Sequence, residues 1–211
     1  MKHHHGQHQP QSAKSHTHHH DFDDPSTVAQ RLDASERDAL QKPDEVIASF
    51  QLSSDATIAE IGAGTGYFVV RLAKYLTNGT VIGLDSQPQM VAYLQRRAEE
   101  SGLTNVDARQ IQGDALPLTE QLDVLFCVDA YHHIADRVAL FSHYAKHLKR
   151  GGKLVIIDRP ADAPAGPPAE FCVSPQTVQE ELAQAGYTMV AGMNFLLPYQ
   201  YYLAFTPSTT A

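Results

Sequence analysis

From Ala56 to Asp158 short apolar runs alternate with stretches of helical spacing, and this alternation restricts the chain to very few architectures. Thr57–Ile61, Thr80–Leu84, Val106–Ile111, Leu122–Val128 and Lys153–Asp158 read as strands, the fourth nearly all apolar, as expected of a strand buried on both faces. Between them Tyr67–Leu76, Pro88–Glu100 and Ile134–Leu148 repeat apolar residues every three or four positions and read as helices. Crossovers of that length join parallel strands, and their fixed hand makes the product a doubly wound, three-layer α/β sandwich. After the Pro-rich loop Arg159–Glu170, a helix over Val173–Gly186 leads to two last strands, Tyr187–Leu196 and Tyr199–Phe205. The link between them, Leu197-Pro198, is so short that they must pair antiparallel, giving a mostly parallel seven-stranded sheet with an antiparallel C-terminal strand.

The segment before this pattern has a different character. Eight of the chain's 12 histidines lie within the first twenty of its 211 residues, among Gln, Ser, Gly and Pro with almost nothing apolar. Such a composition cannot offset the entropy of ordering, so a flexible His-rich leader is expected over residues 1–23, with a single domain over 24–211. Clustered imidazoles are metal ligands, so His3, His4, His5, His18, His19 and His20 are candidates for weak divalent-metal binding. Asp24-Pro25 marks the expected start of order, Ser35 with Asp38 resembles a helix capping box, and Val46, Ile47 and Phe50 give a further helix an apolar face.

Net charge is -8, but the leader's first twenty residues hold two lysines and no acid, so the other 191 residues carry 14 bases against 24 acids, a net -10. That field repels phosphate backbones and argues against nucleic acid as a partner. No stretch is apolar enough to span a bilayer, the start has no apolar run of a signal peptide, and two cysteines, Cys127 and Cys172, form no disulfide framework. A soluble, cytoplasmic protein is expected, monomer or homodimer.

The chemistry concentrates where the first strand ends, at Glu60-Ile61-Gly62-Ala63-Gly64-Thr65-Gly66. Glycines there permit a sharp turn and a close approach of backbone to ligand. A dinucleotide-binding loop would place its third glycine at position 67, which is Tyr67, so a nicotinamide oxidoreductase is disfavoured. Asp85 ends the second strand, where a carboxylate can take two ribose hydroxyls or cap the helix before Pro88. Asp114, beside Gly113, can accept an exocyclic amine or serve the turn.

These segments, with Leu122–Ala130, Leu148–Leu154 and the antiparallel final pair, resemble the class I S-adenosylmethionine-dependent methyltransferases over about residues 45–206. The resemblance implies a Rossmann-like fold, S-adenosylmethionine as cofactor and S-adenosylhomocysteine as product. It implies that Glu60 orients the cofactor's ammonium and that Gly62, Ala63, Gly64 and Gly66 let the backbone pass beneath it. Asp85 would hold the ribose with Ser86 or Gln87 at the adenine edge, Gly113, Asp114 and Ala115 would read the adenine, and Val128 and Asp129 would face the methionine part and the sulfonium.

On the acceptor side, Asp129-Ala130-Tyr131-His132-His133 follows the fourth strand. Methyl transfer from a sulfonium is a direct displacement that requires mainly alignment, and a base only if the nucleophile begins protonated. His132 is the candidate base, or else a helix-capping residue; Tyr131 lines the pocket or packs in the core; Asp158 caps a helix or lies in a loop. The acceptor expected is a small molecule. Thiolate-rich arsenic methyltransferases are disfavoured, with only Cys127 and Cys172 available. The N-terminal part resembles an uncharacterised bacterial subgroup with a His-rich start and an Arg-Asp-x-x-Gln-Lys-Pro segment, here Arg37–Pro43. Residues 24–52 are then either a lid placing Gln41 and Lys42 near substrate or ordinary surface helix, the reading preferred from sequence. The alternative to an enzyme is a non-catalytic S-adenosylmethionine- or metal-binding protein that uses its leader.

Overall fold

A computed structural model describes residues 35–113 and 115–208. Asp114, the six histidines considered as metal ligands and the rest of the leader lie outside the described residues. The strands are β1 (Thr57–Ile61), β2 (Thr80–Asp85), β3 (Val106–Gln110), β4 (Leu122–Val128), β5 (Leu148–Asp158), β6 (Tyr187–Met193) and β7 (Tyr201–Pro207). They form one sheet in the order β3-β2-β1-β4-β5-β7-β6, parallel from β3 through β5, with β7 antiparallel to both β5 and β6. The helices are α1 (Ser35–Gln41), α2 (Pro43–Phe50), α3 (Tyr67–Tyr75), α4 (Pro88–Glu100), α5 (Arg137–Tyr144) and α6 (Pro175–Gln184).

Alternation along the strands assigns each side chain to one of two cores. Val124, Phe126 and Val128 of β4 join Val46, Phe50, Phe68, Leu72 and Leu94 beneath α2, α3 and α4. Leu125 and Cys127 turn the other way, to Phe141, Tyr144, Val178 and Leu182 beneath α5 and α6. These are the three layers expected, and none of the described helices is long and apolar enough to cross a membrane.

Four local expectations need correction. The helix expected over Ile134–Leu148 is shorter: a 3-10 turn at Tyr131–His133, then α5 capped by Asp136, which accepts from Ala139 N, then a 3-10 turn at Ala145–His147. Leu148 already belongs to β5 and pairs with Leu122; the register then jumps, so that Val124 faces Lys153, and Lys149–Gly152 bulge out around Gly151 at φ 82°. The link between β6 and β7 is residues 194–200 rather than two residues, because Leu196 and Gln200 both fold inward and are about 1% exposed. Asp38, expected to close a capping box, is drawn instead to the Tyr67 hydroxyl and to Arg71 at 2.9 Å.

The N-terminal helices present Glu36, Asp38, Asp44 and Glu45 to solvent and their apolar face to the sheet. Gln41, Pro43, Val46, Ile47 and Phe50 are all buried. Pro43 cannot continue α1, and Lys42 before it adopts φ 43°, so α2 sets off in a new direction along the sheet. Phe50 packs on Phe126 with ring centroids 5.2 Å apart, and Phe126 meets Phe68 edge-on at 6.2 Å. Phe126 thus joins α2 and α3 to the central sheet. Phe126→Ala should cost about 3–5 kcal/mol of unfolding free energy, read as a lowered denaturant midpoint with the slope unchanged.

Candidate functional site

β1 is paired on both edges by parallel strands, β2 and β4, and the chain leaves β3 to cross over to β4. The strand order therefore reverses at β1, which opens a crevice at the carboxyl ends of β1 and β4. Most of the candidate residues gather along that rim.

Gly62 and Ala63 turn sharply after β1, both N–H groups donating to Leu84 O at 2.8 and 2.9 Å. Gly64 N donates to Asp85 Oδ2 at 2.8 Å, and Gln87 N to Asp85 Oδ1 at 2.9 Å, so the carboxylate is oriented by backbone from both sides. Burial raises the Asp85 carboxyl above its ordinary value, against the pull of those bonds. The loop needs glycine at its end: Gly66 sits at φ 83°, and a Cβ there would lie 2.3 Å from Leu94 Cδ1. Gly62 is equally confined, its Cβ position being 2.6 Å from the Ala130 Cβ. Ser86 lies exposed just past β2, and Gly113 and Ala115 lie exposed beyond β3, where Gln112 and Ala115 form a bridge.

Glu60 is 3% exposed within β1, and its Oε2 has no hydrogen-bond partner among the described residues. Burial drives its carboxyl well above the usual range; the Arg37 charge opposes this and the Asp85 charge adds to it. Arg37 and Arg71 both lie over the Tyr67 ring, 3.9 and 4.0 Å from its centroid.

At the end of β4, next to buried Val128, Asp129 takes φ 52°, a conformation Asp tolerates better than most residues, and its carboxylate accepts from three side chains. Gln41 Nε2 reaches Oδ2 at 3.0 Å, Arg159 Nη2 reaches Oδ2 at 3.1 Å, and Gln200 Nε2 reaches Oδ1 at 2.8 Å. Arg37 Nε in turn donates to Gln41 Oε1 at 2.5 Å, and Lys42 Nζ donates to Phe195 O at 2.6 Å. Elements nearly 160 residues apart in sequence are thereby tied to one carboxylate.

The two histidine-segment candidates separate. His132 lies at the rim, its Nδ1 2.9 Å from Asp158 Oδ1 and 3.0 Å from Oδ2, while its backbone N–H also reaches Asp158. Burial acts to lower the imidazole pKa, but the Asp158 hydrogen bond and charge prevail and raise it above 6.5. The His133 ring is 4.0 Å from that of His132. Tyr131 points the other way, into the core beneath α5, with its ring stacked on Phe141 and its hydroxyl donating to Glu181 Oε2 at 2.7 Å. The catalytic role considered for Tyr131 gives way to packing, because its polar atom is committed to Glu181.

Sequence reasoning missed Gln200 and Arg159 and left Asp158 undecided. Asp158 and Arg159 follow an apolar strand in the order Asp-Arg-Pro, the usual position of rim chemistry. Gln200 stands alone among tyrosines and carries no motif. Among the described residues no group of three or more His, Cys, Asp or Glu is placed to hold a metal ion.

A family model described as a methyltransferase domain matches residues 58–152. The uncharacterized methyltransferase YcgJ of Bacillus subtilis is 27% identical over 114 residues, covering 54% of this chain and 44% of its own length. A trans-aconitate 2-methyltransferase of Deinococcus radiodurans is 33% identical over 101 residues, covering 48% of this chain and 37% of its own. The chain thus spans less than half the length of these curated relatives. A solved S-adenosylmethionine-dependent methyltransferase from Aquifex aeolicus superposes with a TM-score of 0.79 at 26% identity, over 86% of this chain and 97% of that one. The domain model, this structural likeness and the antiparallel β6–β7 pair agree in making the chain similar to the S-adenosylmethionine-dependent methyltransferases.

Proposed function

We propose that this protein transfers a methyl group from S-adenosylmethionine to a hydroxyl oxygen of a small-molecule acceptor, with His132 as general base. The observation that carries the reading is the His132 Nδ1–Asp158 pair. An oriented imidazole of raised pKa serves no purpose for an acceptor that is already an anion, but is what a neutral hydroxyl requires. Trans-aconitate, named for one relative, is a carboxylic acid ionised at neutral pH and needs no base. The cations at this rim also argue for a neutral acceptor, since Arg159 is engaged by Asp129 and Ala165 O, and Lys42 by Phe195 O.

When bound, S-adenosylmethionine supplies a methyl carbon on a sulfonium sulfur, which departs with its bonding electron pair as the neutral thioether of S-adenosylhomocysteine. Glu60 fits the cofactor's ammonium, because a buried carboxylate oxygen without a donor is the partner that such a cation needs. Asp85 is pre-aimed by Gly64 and Gln87 for the ribose hydroxyls, while Ser86, Gly113 and Ala115 would border the adenine and Val128 and Asp129 would face the methionine part and the sulfonium. With Nδ1 held by Asp158, His132 Nε2 takes the hydroxyl proton as the oxygen forms its bond to carbon, and Asp158 stabilises the imidazolium that results. Helices α1 and α2 cover the rim, latched through Gln41 to Asp129. They exclude water, which would compete as nucleophile.

Calorimetry with S-adenosylmethionine and S-adenosylhomocysteine should show binding to the folded protein, reduced by an order of magnitude or more in Asp85→Ala; no binding to wild type would refute the assignment. A screen of phenols, alcohols and carboxylates followed by methyl transfer should favour a hydroxyl acceptor. With that acceptor, the rate should fall as pH drops through a value above 6.5, where His132 becomes protonated. Asp158→Asn removes the groups that raise the imidazole pKa, so the acid limb should move to lower pH while the plateau falls. His132→Gln should lower kcat about 10²–10⁴-fold with cofactor affinity retained, and a loss under threefold would exclude the base.

Glu60 makes a separate prediction. Its folded-state pKa is raised, so the folded protein holds that proton to higher pH than the unfolded chain does. Stability should therefore fall as pH rises from about 4.5 through the raised value. Glu60→Gln should flatten this dependence and raise Tm at neutral pH, at about 2–4 °C per kcal/mol recovered, while weakening S-adenosylmethionine binding.

A further inference from the structure

Three adjacent strands meet the rim beside the proposed base, and each brings a polar residue. β4 ends in Asp129, β5 ends in Asp158, and β7 begins immediately after Gln200, its Tyr201 paired with Asp158. Gln200 therefore sits one residue from the strand position opposite the carboxylate that orients His132, and it is hydrogen-bonded to Asp129, the other carboxylate at this edge.

The orientation of the Gln200 amide follows from chemistry. Asp129 can only accept, so Gln200 must present its Nε2 to it, which turns Oε1 away. That oxygen is buried in a side chain about 1% exposed and has no donor among the described residues. Gln41, which donates to the same carboxylate in the same way, differs in one respect: its own Oε1 receives a hydrogen bond from Arg37. Of the two amides fixed by Asp129, one is complete and the other is left with an acceptor to fill. A buried acceptor without a donor is costly and rare in folded proteins, and where it borders a binding rim it marks a place for a ligand's hydrogen.

Resting on the reading of His132 as base, we infer that Gln200 Oε1 receives a hydrogen bond from the acceptor substrate. The substrate then carries a second donor, a hydroxyl or amine, beside the hydroxyl that is methylated. His132 accepts the proton of the reacting hydroxyl, and Gln200 accepts from its neighbour without removing its proton. Asp129, held by Gln41 and Arg159, keeps the amide from rotating, so discrimination follows from the unpaired acceptor: a substrate lacking the second donor leaves Oε1 buried and unpaired in the complex. A neighbouring methoxy group is worse still, since it sets one acceptor against another.

The test uses three aromatic probes of similar size with the full chain: catechol, phenol and 2-methoxyphenol. Wild type should methylate catechol with kcat/KM at least about tenfold above phenol, with 2-methoxyphenol lowest. In Gln200→Met, which keeps the side-chain length but loses both the Oε1 acceptor and the Nε2 donor to Asp129, while Gln41 and Arg159 still hold that carboxylate, the catechol value should fall to that of phenol. The affinity for S-adenosylhomocysteine should be unaltered. Equal rates on catechol and phenol in wild type would overturn the inference without any variant, and leave the base assignment intact. A weakened S-adenosylhomocysteine affinity in Gln200→Met would overturn it too, by assigning Gln200 to the cofactor. An undiminished catechol preference in the variant would show that Gln200 only shapes the rim. Absence of transfer to all three probes, with cofactor binding intact, would remove the hydroxyl-acceptor reading and this inference with it.

Discussion

Everything at the rim depends on β1 having parallel partners on both edges. Pairing on both edges places β1 in the middle of the sheet, where the helices on both faces leave Ile58–Ile61 buried, so a polar residue there has little access to water. Glu60 is such a residue, between Gly83 of β2 and Phe126 of β4. Its burial is therefore set by topology and is costly to the folded state, which is the condition under which a bound cation contributes most. The same pairing aligns the ends of β2 and β4, so that the glycine loop turns under Leu84 and meets Asp85 while Asp129 emerges on the opposite side of the crevice. The groups proposed for the cofactor and those proposed for the acceptor lie on the two sides of β1, where the strand order reverses.

Asp129 is the second organising point, at a smaller scale. It leaves β4 in a left-handed conformation and accepts hydrogen bonds from α1, from the end of β5 and from the segment entering β7. Three donors on one carboxylate hold Gln41, Arg159 and Gln200 in single orientations, which is the preorganisation that selective recognition needs. The neighbouring His132–Asp158 pair is joined to that carboxylate through Arg159, whose backbone N–H donates to Asp158 while its guanidinium donates to Asp129, so the groups proposed for proton transfer and for recognition are held side by side. α1 lies over both, with Arg37 bridging the Glu60 side to the Gln41 side of the site.

Much of the fold is legible in the chain itself, because period-2 and period-3.6 apolar patterns report which faces are buried. The boundaries of β1, β2 and β4 follow from their apolar runs; the antiparallel pairing of β6 and β7 is expected from a two-residue link, and it holds although that link spans residues 194–200. Misreadings arose where a single residue outweighed the pattern. The apolar spacing of Ile134–Leu148 continues through positions that Asp136 caps and that β4 recruits into β5. Leu196 and Gln200 resemble strand residues in sequence but turn inward as a loop. The acid of an apparent capping box, Asp38, found a stronger partner in Tyr67 and Arg71 across the structure.

By itself the sequence determined the layered α/β architecture, the glycine turn, and the acids Glu60 and Asp85 at the strand ends, because each of these is a local consequence of spacing and residue type. Only the tertiary structure decided that Tyr131 packs in the core while its neighbour His132 stays at the rim, that Asp158 orients that imidazole, and that Gln41 and Gln200 meet on Asp129. The physical reason is that such roles belong to hydrogen bonds between residues far apart along the chain. Their existence depends on which strand lies beside which, and no local pattern carries that information.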